Sequence, residues 1–176
     1  MLRDEIKKTK QLLDLLDSIH AFEKTARQNY EAVLATGSYE DERELKKLSD
    51  ARLRLDMVPS RKKMAEANLK TAIPELRQAL RIASNAWGAF VQSKAREVQK
   101  KYLEAVAPFY TDNPRMAKKQ LDEGHFVPLI AETLRAHVGV GYDPNATPHV
   151  ELNVAECWVR SVKKKCEVWG WDYPDY

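Results

Sequence analysis

Two apolar seams at helical spacing organise this chain. Leu48, Ala51, Leu55, Val58, Lys62, Ala65, Leu69, Ala72, Leu76, Ala79, Ala83, Ala86 and Phe90 follow one another in alternating steps of three and four. That is a heptad register, and Lys62 is its one polar position. Nearer the N-terminus, Leu12, Leu15, Ile19, Phe22, Ala26, Asn29 and Val33 repeat the alternation, with Asn29 as the polar member.

The pattern predicts a first helix from about Leu2 to Ala35. Thr36, Gly37 and Ser38 interrupt it: Gly37 suits the left-handed residue after a helix, and Ser38 suits the cap of the next one. Glu40, Asp41 and Glu42 would then sit against the positive end of that second helix. So short a connection makes the neighbours antiparallel, hence a helical hairpin.

The second arm has two readings. A turn at Val58, Pro59 and Ser60 gives a three-helix bundle; a single helix from Tyr39 to about Ala107, kinked at Pro59 and Pro74, gives a rod. The seam crosses both prolines without losing phase and puts Pro74 on the outward face, where water can satisfy the freed carbonyl. This favours the rod, on the order of 100 Å long at 1.5 Å per residue.

Alanines at 65, 72, 79 and 86 face larger Leu69, Leu76 and Phe90, which lets two backbones approach closely. Ile73, Leu80 and Trp87 widen the apolar face beyond one partner. After Ala83 the steps to Trp87, Val91 and Ala95 are all fours, a stutter that rotates the buried face toward new neighbours. Folded back at Gly37, the first helix reaches only to about Ile73. The stretch from Pro74 to Ala107 must be covered by the C-terminal third or by another chain.

Pro108, Asn113 and Pro114 mark a linker and the start of a short helix ending before Gly124, and Pro128 opens another. Residues 138–150, with Gly139, Gly141, Pro144, Asn145 and Pro148, read as a loop. Asn153 is expected to cap a last helix through Trp158, Val162, Cys166 and Trp169, closing at Gly170. The expected class is all-α: a long antiparallel, coiled-coil-like hairpin arm over residues 1–107 and a small helical head over 108–176.

Composition agrees with this class. Charged residues make up 31% of 176 and there are only 6 glycines, the balance of a mostly helical chain. A net charge of +3 permits an acidic partner without requiring one. The N-terminal charges leave no apolar run of signal-peptide length, and no stretch approaches the ~20 residues of a membrane span. The expected location is the cytoplasm or a soluble or virion assembly. Cys157 and Cys166 stand nine residues apart, roughly 900° around a helix, so a shared disulfide or metal is not expected.

Candidate chemistry is thin. His20, His125, His137 and His149 are scattered, and none sits at i, i+4 with another ligand; Asp17 and His20 share a helical face, but the seam supplies no set of inward Glu ligands to join them. Gly139, Val140 and Gly141 lack the third glycine of a dinucleotide loop. Lys163, Lys164 and Lys165 precede Cys166 and would activate its thiol only if clustered around it. No catalytic set, metal site or cofactor is expected.

The partner-binding candidates are aromatic: Trp87, Phe90 and Val91 on the uncovered stretch, and Trp169, Trp171, Tyr173 and Tyr176 in the tail. These suggest a non-enzymatic structural or assembly subunit, homo- or hetero-oligomeric, within a virion or other multi-subunit machine. A nucleic-acid-associated alternative would use Arg61, Lys62, Lys63, Lys163, Lys164 and Lys165. A membrane-surface module would use the basic side of the bent rod.

Overall fold

The computed structural model describes residues 1–36, 41–106 and 146–172. Among these the chain is all-α, with four helices and no strand. They are α1 (Leu2–Thr36), α2 (Glu42–Asp56), α3 (Val58–Val106) and α4 (Pro148–Trp169). The chain divides into two compact units, Met1–Arg77 with Asn145–Asn153, and Gln78–Pro144 with Val154–Tyr176. The short helices expected after Asn113 and after Pro128 lie outside the described residues, as does the Gly37 turn.

In unit 1, cross-helix partners fix the direction of packing. Lys8 bonds Glu75, Leu13 shares a cluster with Leu69 and Ile73, Ile19 packs with Val58 and Ala65, and Glu23 lies 4.0 Å from Lys62. One index falls as the other rises, so α1 and the start of α3 run antiparallel. Leu152, from the start of α4, joins the Leu13 cluster as a third contributor. Arg77 Nε and Nη2 both donate to Glu151 Oε1, at 2.9 and 2.5 Å, tying α3 to the first turn of α4.

The buried register of α1 differs from the expected one. Leu15 and Phe22 are 48% and 41% exposed, while Leu13, Ile19 and Ala26 are buried and Leu16, Glu23 and Tyr30 are half-buried. Leu12, Ile19, Ala26 and Val33 keep their expected places, while Leu16, Glu23 and Tyr30 replace Leu15, Phe22 and Asn29 between them, one residue further along. Asn29, the polar member of the expected seam, is exposed, and Glu23, next to the exposed Phe22, lies 4.0 Å from Lys62 of the other seam.

In the second arm α2 passes into α3 with a break next to Pro59, one of the two prolines at which a kink is expected. The arm is interrupted at Met57, which keeps right-handed helical dihedrals (φ −77°, ψ −21°). The Met57 amide donates to Leu53 O at 3.2 Å, and the Arg61 amide donates to Met57 O at 3.4 Å. Pro59 has no amide to offer Leu55, so the ladder lapses there and resumes a turn later. Pro74 lies inside α3, exposed, and does not end it.

Local signals set the other termini. Asp41, rather than Ser38, caps α2, its carboxylate accepting from the Arg43 amide at 2.9 Å. The last helix starts at Pro148, not after Asn153: the Thr147 carbonyl accepts from Val150 and Glu151 at 2.9 and 3.1 Å. Proline is preset for the first helical position, so it extends the helix back through residues read as loop. At the far end Gly170 has φ +66°, with Gly170 N bonding Glu167 O at 3.3 Å and Trp171 N bonding Cys166 O at 2.9 Å. This paired arrangement closes the helix and needs a residue without Cβ strain at position 170.

In unit 2 the buried positions of α3 are Ala83, Trp87, Val91, Ala95 and Gln99, each four after the last. Each step of four advances about 40° round the helix, so the buried face spirals. The heptad seam ends where this spiral begins, since Ala86 is exposed. On α4, Ala155, Trp158, Val162 and Cys166 are buried.

Gly88 is exposed within α3, and an added Cβ would meet nothing within 4 Å. Gly88→Ala is therefore expected to stabilise the protein by about 0.5–1 kcal/mol, because it removes backbone freedom from the unfolded chain without a clash. A urea midpoint that fails to rise would contradict this placement of Gly88.

Candidate protein-interaction site

The densest group of expected site residues lies in unit 2. Trp87, Phe90 and Lys94 follow at i, i+3 and i+7 on one face of α3. The Trp87 and Phe90 rings stack with centroids 5.5 Å apart and planes inclined by 27°. Phe90 meets Trp171 edge-on at 5.7 Å and 85°, and Trp171 stacks on Trp169 at 5.5 Å and 26°. Lys94 Nζ stands 5.8 Å from the Phe90 centroid and bonds Glu97 at 3.0 Å. The Gly170 turn makes this chain of rings possible by folding Trp171 back instead of continuing the helix.

The group grades from core to surface. Trp87 and Val91 are 3% and 2% exposed, so they line the interior of the unit and are not themselves contact residues on its surface. Phe90 and Trp171 are half-buried, while Trp169 and the neighbouring Val168 are 45% and 73% exposed. The group thus runs from a fully buried indole to rings that leave apolar area in contact with solvent. Tyr173 and Tyr176 lie outside the described residues.

The basic residues divide between the units. Arg61 and Lys63 are exposed in unit 1, where Lys62 is half-buried beside Glu23. In unit 2, Lys163 and Lys164 are exposed, and burial lowers the Lys165 pKa from its ordinary value. Cys157 is exposed, whereas Cys166 is buried and its thiol is pushed above the usual range by burial and by Glu167. The preceding lysines therefore do not activate Cys166.

His20 and His149 are exposed; His149 Nε2 lies 4.0 Å from Asp17 Oδ2. His125 and His137 lie outside the described residues. Among the described residues no three His, Cys, Asp or Glu side chains converge as metal ligands, and no helix is long and apolar enough to cross a membrane.

A groove in unit 1 was not anticipated from the sequence. Leu15 and Phe22, expected in the seam, line this groove with Met64. No family model matches the chain, and no curated protein and no solved structure matches it either.

Proposed function

We propose that the chain is a non-enzymatic structural or assembly subunit that contacts other polypeptides in a larger complex, such as a virion or another multi-subunit machine. In this reading residues 1–107 form a long antiparallel hairpin arm and residues 108–176 a small helical head. The observation that carries it is the exposed Trp169 and Val168 surface at the end of the Trp87–Phe90–Trp171 group. Leaving that much indole in water forgoes burial worth roughly 25 cal/mol per Å² of apolar area, which a partner would recover. Rigid aromatics also lose little side-chain entropy on binding.

Amine cross-linking of the native chain in its source, followed by mass spectrometry, tests the role. Links from Lys163, Lys164 or Lys94 to other polypeptides are expected. Trp169→Ala should reduce them about tenfold or more, the effect of losing one interfacial anchor. Links confined to the chain itself, together with a monomeric mass in light scattering, would overturn the assembly role.

A further inference from the structure

The side of the α1–α3 pair that carries Phe22 and Arg61 is left open. Leu15, Phe22 and Met64 are 48%, 41% and 63% exposed around a groove of about 460 Å³. Its floor is Ile19, Val58 and Ala65, and Ser18, Arg61 and Asn68 complete the wall. The next residue on each helix points roughly 100° away, where Lys62 and Glu23 close the opposite side of the seam.

Three observations identify the occupant. Leu15 and Phe22 lie two turns apart on α1, and Arg61, Met64 and Asn68 span two turns on α3, so the groove fits a helix presenting apolar residues at i, i+3 or i+4, and i+7. The lining residues combine Phe, Met and Arg with an absence of Lys, Asp and Glu, although charged residues make up 31% of the chain. That is the composition of an interface centre. Arg61, the one charge present, has no ion-pair partner among the described residues. Exposed Arg61 gives the groove a positive edge, which favours an occupant that carries a carboxylate there.

We propose that this groove docks an amphipathic helix of a partner polypeptide. Three large apolar side chains rest over Ile19, Val58 and Ala65, and a carboxylate at the helix edge meets Arg61. The inference goes beyond the assembly role and does not depend on the aromatic group, which belongs to unit 2.

The test uses the full chain labelled at its methionine methyls and two synthetic lactam-bridged helices. Both peptides carry leucine at i, i+4 and i+7; one has glutamate at the edge position, and its twin has lysine there. The glutamate peptide is expected to shift the Met64 methyl resonance saturably and to bind about tenfold more tightly than the twin at low salt. Arg61→Glu should reverse that order, and this exposed substitution leaves the floor intact. Leu15→Asp, shown to be folded by circular dichroism, should abolish binding of the glutamate peptide.

Equal affinity for the two peptides would overturn the proposal, as would no Met64 shift at millimolar peptide or an unchanged preference in Arg61→Glu. A dimer of the wild-type chain in light scattering that Leu15→Asp dissociates would also overturn it, by assigning the groove to a second copy.

Discussion

Truncating Trp87 to alanine is expected to destabilise the protein by about 3–5 kcal/mol, the usual cost of deleting a fully buried aromatic ring. The side chain is 3% exposed, and its ring stacks on Phe90 at 5.5 Å. Its immediate neighbours along the buried spiral, Ala83 and Val91, are too short to refill the space, so a cavity remains. Loss of the ring pair adds about 0.5–1.5 kcal/mol to the area term within that total. A domain holds only about 5–15 kcal/mol in all, so the variant forfeits a large share of its stability. Urea unfolding followed by far-UV circular dichroism should show the midpoint fall by on the order of 1–3 M. A cost below about 1 kcal/mol would mean that Trp87 is not packed in a core.

Leu69→Ala should cost about 2–5 kcal/mol in unit 1. Leu69 is 5% exposed and packs with Leu13 of α1, Ile73 of α3 and Leu152 of α4. Three helices therefore lose contacts at once, and each is held in place by others that resist collapse. The measure is again the urea midpoint, with Leu53→Ala as the comparison. Leu53 is 63% exposed on α2, and its truncation should change stability by no more than about 0.5 kcal/mol. Equal losses from the two substitutions would refute the assigned seam, since both delete the same atoms and differ only in burial.

The seam on the second arm was legible because burial follows a strict helical period. Val58, Ala65, Leu69, Ala72, Leu76 and Ala83 are buried, and the phase is lost at Ala86 where the run of fours announces it. The first arm was harder to read. Leu12, Leu13, Leu15 and Leu16 offer several apolar registers, and composition cannot rank them. The choice is made by packing against the distant Val58, Ala65, Leu69 and Ile73, a tertiary constraint that local spacing does not carry. The start of α4 had competing local signals, and Thr147 with Pro148 outweighed Asn153. In the candidate site, the aromatic side chains were identifiable by type, but their grading from core to surface was not. Whether Trp171 docks depends on the Gly170 turn and on Phe90, which lies some eighty residues away in the chain.

The division of the chain into two units has an optical consequence. All four tryptophans, at 87, 158, 169 and 171, fall within unit 2. Indole emission therefore originates from one unit alone, whereas the amide ellipticity sums helices from both. The two signals report different parts of the same molecule. Coincident emission and ellipticity transitions would mark all-or-none unfolding. A gap between them would measure directly how far one unit outlasts the other.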